Sequence, residues 1–284
     1  MSAENFAVIG HPMGHTMSPF IHKCLFALTG HEYTYRVLDI APEALPVQYA
    51  QTLRGLAGYN ITIPHKQTLL PLLDALDESA ARYGAVNCVA NGKAAVGYNT
   101  DAYGFLKALE SAGLSLGGHV LICGCGGVAR TMAYECLLGG CSITFFVLES
   151  ALADANRLAE ELREKVSGCS IRIRINDGTP EDCDLFINAS PVGMYPKIDA
   201  MPVPIEQVQR AGSVFDVVYN PRKTRLIETA EALGIPHGEG MAMLVWQAAR
   251  AHEIWYGAQF TREEMDTIIA SSYDEMERLF GKES

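Results

Sequence analysis

Short apolar runs alternate with helix-period segments along most of this chain. Phe6-Ala7-Val8-Ile9, closed by Gly10, predicts a first strand. Ser18-Pro19 marks a helix start, with Ser18 as N-cap and Pro19 in the first turn, ahead of Phe20, Ile21, Leu25 and Phe26. Residues 33–40 alternate as a second strand, and 43–55 read as helical. Ile61 and Ile63 alternate with polar neighbours in a third strand, which Pro64 ends because it has no N–H for the ladder. Residues 69–83 are helical by period, 85–90 return to strand, and 101–113 form an amphipathic helix with Phe105, Leu106 and Leu109 on one face. The order βαβαβ predicts a compact, mostly parallel sheet covered by helices.

The second half repeats the alternation with more deeply apolar strands. His119–Cys123 is a buried strand, followed by the loop Gly124-Cys125-Gly126-Gly127 and a helix through Leu138. Residues 142–148 form the next strand and 151–166 a long helix, with further short strands at Ile171–Ile175, Leu185–Asn188 and 214–218. That pattern predicts a Rossmann-type dinucleotide-binding unit. After Gly240 the pattern is wholly helical, over 242–256 and Arg262–Phe280.

Composition narrows the function classes. At 284 residues the chain exceeds the usual single domain, so two domains are expected. A net charge of −11 without any basic stripe argues against nucleic acid as a partner. No Lys/Arg-led apolar segment opens the sequence and no run of eighteen apolar residues occurs, so a cytoplasmic protein with no membrane partner is expected. The eight cysteines contain no Cys-x-x-Cys pair, which supports neither a zinc ribbon nor a redox motif. They read as small buried hydrophobes, with Cys125 the candidate for modest exposure in a loop. His11 and His15 stand four apart, but Pro12 and Gly14 spoil a helical metal pair, and no metal site is expected.

Two places carry chemistry. Pro64 should leave Lys66 displayed just past a strand end, and Asn99-Thr100-Asp101 supplies a carboxylate in a polar triplet. A lysine, an aspartate and nearby amides and hydroxyls can orient a small hydroxylated acid and move a proton. The turn at Gly124, Gly126 and Gly127 follows a strand and opens a helix, where glycine lets the backbone approach a pyrophosphate and the helix N-terminus favours its charge. Ala129 is small enough for close helix packing there. Glu149, at the end of the following strand, can hold a ribose 2′-hydroxyl and repel a 2′-phosphate. With Asp154 close in sequence and no basic residue before Arg157, NAD is expected over NADP; Arg130 is the one local counter-argument.

Motifs spread along nearly the whole chain resemble the shikimate dehydrogenase family, including its quinate/shikimate branch. The stretch from Gly10 through Thr16 and Ser18 to Pro19 is similar to the family's substrate-carboxylate loop. Asn60 to Lys66, Gly84 to Asn87, and Asn99 to Asp101 resemble three further family segments. Asn188 to Met194 resembles its cofactor-lining loop, Asp216 to Pro221 its Asp-x-x-Tyr-x-Pro pattern, and Gly240, Met243, Leu244 and Gln247 its closing helix. The resemblance implies reversible oxidation of the ring 3-hydroxyl of shikimate, with hydride passing to nicotinamide. It implies Lys66 as the acid–base residue with Asp101 beside it, and a carboxylate held by Thr16 and Ser18. Thr62, Asn87, Tyr219 and Gln247 would contact other substrate oxygens. Val128, Asn188, Ala189, Val217 and Gly240 would join the glycine turn around the cofactor. The expected division is a substrate domain of residues 1–101 and 239–284, the C-terminal helices returning to it, and a dinucleotide-binding domain of residues 102–238.

The sequence departs from the family pattern in places. Thr16 stands where many members have serine, and its methyl could crowd the carboxylate. Glu149-Ser150-Ala151 replaces the Asn-Arg-Thr of NADP-using members, in line with the NAD expectation. Ala102 replaces a glycine after the aspartate, and Glu78 lies where the family has an acid near the cofactor. The rival readings are an NAD-dependent quinate or quinate/shikimate dehydrogenase, a methyltransferase, and a non-catalytic binding module. The second leaves Lys66, Asp101 and Gln247 unexplained, and the third would be favoured by loss of Lys66 or Asp101, which are both present. The expected partner is a small ring acid, and a homodimer is left open.

Overall fold

A computed structural model describes residues 4–14 and 16–280; His15 lies outside them. The chain divides into two compact α/β units. One comprises the residues up to Gly104 with Val245–Glu275, the other Phe105–Leu244 with the residues from Met276 onward.

In the N-terminal hundred residues the order is β1 (Glu4–Gly10), α1 (Ser18–Thr29), β2 (Tyr33–Asp39), α2 (Leu45–Gln51), β3 (Gly58–Ile61), α3 (His65–Thr68), β4 (Ala75–Leu76), α4 (Glu78–Tyr83), β5 (Cys88–Asn91) and β6 (Ala95–Tyr98), followed by α5 (Asp101–Ser111). The sheet order is β2-β1-β3-β5-β6-β4. β1 runs parallel to β2 and β3, and β4 parallel to β6, whereas β5 is antiparallel to both β3 and β6. The edge strand β2 alternates partly buried and exposed positions, while β3 is buried throughout, as expected for strands with one and two neighbours. Ala7, Ile9, Tyr59, Ile61 and Val89 form the core on one face with Leu45, Leu53 and Leu69.

Local departures from the sequence reading have simple causes. Residues 69–83 are not one helix: a 3-10 turn at Leu70–Leu72, β4 and α4 share the segment. Pro71 lacks the N–H that a continuing helix needs, and the Asp77 carboxylate caps α4 by accepting from Ser79 N at 2.9 Å. Ser18 is the first residue of α1 and not its cap; Met17 holds the cap position without a side-chain bond. On α5 the buried face is Ala102, Phe105, Ala108 and Leu109, and Leu106, one step round the helix, is 39% exposed. The hairpin partner β6 and the short strand His237–Glu239 were not anticipated.

The second unit contains β7 (His119–Cys123), α6 (Gly127–Leu138), β8 (Ser142–Val147), α7 (Leu152–Lys165), β9 (Ile171–Ile175), β10 (Leu185–Asn188), α8 (Ile205–Val208), β11 (Val214–Asp216), α9 (Arg225–Ala232) and β12 (His237–Glu239). Its strands order as β12-β11-β10-β7-β8-β9 with every ladder parallel. Leu121, Phe146, Phe186 and Val214 pack with Leu226 and Ile227 of α9 on one side. The order reverses between β7 and β10, so the loops leaving those two strands meet at the switch point where such sheets bind ligands. Two helices close the chain, α10 (Gly240–Tyr256) and α11 (Arg262–Phe280). No helix among the described residues is long and apolar enough to cross a membrane. All eight cysteines are free, with Cys24, Cys125 and Cys169 partly exposed.

Candidate active site

Lys66 stands on a backbone tied from both sides. Where β3 ends, Ile61 N donates to Asn87 O, and one residue on Thr62 N donates to Ile9 O, both at 2.9 Å. The regular strand stops at Ile61, two residues before the predicted end, and Ile63 is 74% exposed. Pro64 then opens the short helix α3. Its first residue, His65, is fully buried and engages Ile40 O through Nε2 at 2.6 Å, which pins the turn from below. Lys66 follows, and its own carbonyl accepts from Val86 N at 2.8 Å. The side chain is therefore launched from a rigid base.

Four of the expected substrate residues join in one hydrogen-bonded network. Lys66 Nζ donates to Asp101 Oδ2 at 2.5 Å. Asn87 Nδ2 donates to the other carboxylate oxygen, Oδ1, at 2.7 Å, and lies 3.4 Å from Gln247 Oε1. Asn87 Oδ1 accepts from Thr100 N at 2.7 Å, and Thr100 Oγ1 reaches Gln247 Oε1 at 3.2 Å. Asp101 N donates to Asn99 Oδ1 at 3.0 Å, so the triplet that supplies the carboxylate also fixes its own backbone. Asn87, Asn99, Thr100 and Asp101 are all buried. Thr100 was not singled out from the sequence, although its place between two marked residues was the available signal.

Thr16, Ser18 and Thr62 lie in the same unit. Thr16 Oγ1 accepts from Ser18 N at 3.2 Å, serving the first turn of α1 from two residues upstream. Thr62 closes over Gly10, where an added Cβ would fall 2.5 Å from the Thr62 methyl.

The nucleotide-binding candidates belong to the second unit. Gly124 leaves β7 at φ +104°, and a Cβ there would lie 3.0 Å from Ala189 O, so both its backbone angle and its space call for glycine. Gly126 caps α6 in extended conformation without any side-chain bond, leaving the first N–H groups of a twelve-residue helix for an anion. Gly127 and Val128 begin that helix. Across the switch point Ala189 N donates to Cys123 O and Val217 N to Asn188 O, at 2.9 and 3.0 Å. Asn188 Nδ2 donates to Asp216 Oδ1 at 2.9 Å, and Thr224 Oγ1 to Asp216 Oδ2 at 2.6 Å. Burial lifts the Asp216 carboxyl to about 6, against those hydrogen bonds, which favour its charge. Gly240 opens α10 with its Cα against Val217 O, which a Cβ would approach to 2.1 Å. Tyr219 follows β11 in this unit, half-buried. Glu149 is not the end of β8: the strand stops at Val147, and Glu149 begins an exposed 3-10 turn, Glu149–Ala151. The described residues contain no group of three or more His, Cys, Asp or Glu placed to hold a metal ion.

A polar network around a lysine–aspartate pair in one α/β unit, and an anion-binding glycine turn at the switch point of a parallel sheet in the other, define an oxidoreductase of the nucleotide-dependent kind. The profile of the shikimate dehydrogenase substrate binding domain matches residues 8–89. A shikimate dehydrogenase (NADP(+)) from Methanopyrus kandleri is 40% identical over 272 residues, 92% of this chain and 93% of the relative. A crystal structure of a shikimate dehydrogenase in complex with NADP+ superposes with a TM-score of 0.86 at 33% identity, covering 95% of this chain and 96% of that one. The Thermus thermophilus enzyme in complex with NADP(H) and shikimate gives 0.82 at 32% identity, covering 95% and 99%. The chain belongs to the shikimate dehydrogenase family.

These relatives overturn the expected preference for NAD over NADP, since all three are named for or complexed with the phosphorylated nucleotide. The structure removes the physical ground of that expectation. A carboxylate held at a buried strand end would repel a 2′-phosphate strongly, but Glu149 stands in an exposed turn where water screens its charge. Arg130 is paired with Glu161 and Arg157 with Asp154. The latter pair stands in solvent, where such a contact holds its guanidinium only weakly.

Proposed function

We propose that the protein oxidises shikimate at its ring 3-hydroxyl to 3-dehydroshikimate, reversibly, with NADP as the hydride carrier. The observation that carries this reading is the Lys66–Asp101 pair at 2.5 Å within the Asn87 and Gln247 network. The glycine turn and the uncapped start of α6 fit a pyrophosphate, and a nicotinamide nucleotide bound there supplies the hydride acceptor. A hydroxyl becomes a carbonyl only if its proton leaves as the hydride departs. Lys66 Nζ takes that proton, and Asp101 stabilises the ammonium it becomes; in the reverse direction Lys66 returns it. Asn87 keeps the Asp101 carboxylate turned toward Lys66. Gln247 and Thr62 bind ring hydroxyls from this unit. Thr16, Ser18 and the N-terminus of α1 receive the substrate carboxylate.

The test is nicotinamide reduction by purified protein across NADP and NAD, each with shikimate and with quinate. The expected result is turnover with shikimate and NADP. Lys66→Ala should lower kcat about 10²–10⁴-fold, the usual contribution of an acid–base group, with a modest loss of shikimate binding. No reduction in any of the four combinations would sink the assignment.

A further inference from the structure

Asn188 and Asp216 are the last residues of β10 and β11 and stand opposite each other in that parallel ladder. Paired residues of neighbouring strands share a face of the pleat, so the amide and the carboxylate meet. Both are fully buried, and Thr224, just ahead of α9, is only 2% exposed. Three donors from three segments converge on the Asp216 carboxylate. Oδ1 accepts from Asn188 Nδ2 at 2.9 Å and from Val218 N at 3.0 Å, and Oδ2 accepts from Thr224 Oγ1 at 2.6 Å. The group serves its neighbours only as an acceptor.

That requirement passes outward through Asn188, whose amide must give its Nδ2 to Asp216 and so cannot turn over. The same Nδ2 donates to Val192 O at 3.1 Å, while Oδ1 accepts from Ser190 N at 3.2 Å and from Ser190 Oγ at 2.6 Å. Ser190 Oγ in turn accepts from Val192 N at 3.3 Å. The loop after β10 is thus wound around one oriented amide. The turn after β11 is held by the same carboxylate oxygen through Val218 N, and Val217 N donates to Asn188 O at 3.0 Å. Both segments border glycines that have no room to spare. A Cβ on Gly124 would lie 3.0 Å from Ala189 O, and one on Gly240 would lie 2.1 Å from Val217 O. A shift of either segment therefore changes the space at the glycine turn or at the start of α10.

We infer that Asp216 is a positioning residue of the nucleotide site, whose buried carboxylate clamps the loops after β10 and β11 in the arrangement that receives NADP. The inference rests on the reading of this unit as the NADP site, and deepens it by naming what holds the two loops. Asparagine at this position can keep the clamp. Its oxygen takes the place facing Asn188 and Val218, and its NH₂ faces Thr224 Oγ1. That hydroxyl has a second lone pair to receive it, beside the one that accepts from Ile227 N at 3.3 Å. Alanine removes the acceptor altogether and leaves the Asn188 and Val218 donors buried without it.

The dissociation constant of NADP is measured by titration calorimetry, without shikimate, on the unaltered protein, Asp216→Ala and Asp216→Asn, at a temperature where all three are folded. Asp216→Ala is expected to bind NADP about tenfold more weakly, the weight of one buried donor left unpaired. Asp216→Asn should recover the affinity to within about threefold, since it loses the charge but not the geometry. In turnover the alanine variant should raise KM for NADP more than KM for shikimate. Unchanged NADP affinity in Asp216→Ala, no recovery in Asp216→Asn, or an equal rise in both KM values would overturn the inference. Should Asp216→Ala fail to fold, Asp216→Ser takes its place, because its hydroxyl is too short to hold both loops; the same loss is expected, and unchanged affinity refutes the clamp. If the unaltered protein binds no NADP, the functional reading fails first, so the two failures are told apart.

Discussion

Replacing Asp101 with asparagine changes one oxygen to an NH₂ group and almost no volume, yet the surrounding network has no way to accept it. Both carboxylate oxygens face donors: Oδ2 faces Lys66 Nζ at 2.5 Å and Oδ1 faces Asn87 Nδ2 at 2.7 Å. An asparagine must therefore turn its NH₂ toward either the ammonium or the Asn87 amide. Asn87 cannot turn over to help, because its Oδ1 already accepts from the backbone N–H of Thr100 at 2.7 Å. One donor–donor contact is unavoidable, and Lys66 loses its counter-charge in either case. In the reaction the ammonium forms as Lys66 takes the substrate proton, so the missing carboxylate is felt in the transition state, where breaking a buried ion pair from one side costs about 3–5 kcal/mol. The Lys66 side chain retains 25% exposure against 11% for Asp101, so some water reaches the ammonium and the lower end applies.

About 3 kcal/mol corresponds to roughly two orders of magnitude in rate. Asp101→Asn is accordingly expected to lower kcat/KM for shikimate about 100-fold, followed as nicotinamide absorbance under initial-rate conditions. Thr100→Val is the control: it removes the hydroxyl but leaves the N–H that pins Asn87, so its loss should be about tenfold smaller than that of Asp101→Asn. If Asp101→Asn stayed within about threefold of the unaltered protein, or if Thr100→Val matched its loss, the donor accounting would be wrong.

Two further outcomes concern stability. Gly240→Ala places a Cβ 2.1 Å from Val217 O, a contact only backbone movement can relieve, and should destabilise the protein by about 1–3 kcal/mol in urea titration; an unchanged midpoint refutes the close approach. Burial depresses His22 to about 3 and holds His252 well below its ordinary value, so both are neutral in the folded protein at any working pH. The unfolded chain takes up these protons below about pH 6.5, so stability present above that value is lost as pH falls, by about 2 kcal/mol at about pH 5 from His22 alone. The groups packed around the pair include Tyr256, bonded to His252, and His31, stacked on Tyr256. His22→Leu should flatten that acid limb, and an equal slope in both proteins would contradict it.

What could be read from the chain, and what could not, follows from the range of each interaction. Pro64 opening the turn to Lys66 and glycines opening α6 are local, since one residue's fixed backbone or missing Cβ decides them. That β1 lies between β2 and β3 is a long-range fact, which the pattern of the individual strands does not carry. Asn87 depended on the hairpin strand β6, whose Tyr98 carbonyl accepts from Asn87 N at 3.0 Å. Ala95-Val96-Gly97-Tyr98 is too short and too rich in small residues to announce a strand. Glu149 shows a different failure. Its position after a strand was nearly right, but a charge acts through its surroundings more than through its place in sequence. Because β8 stops at Val147, the carboxylate stands not at a buried strand end but in an exposed turn. There its repulsion is screened by water and cannot decide whether a phosphorylated nucleotide binds.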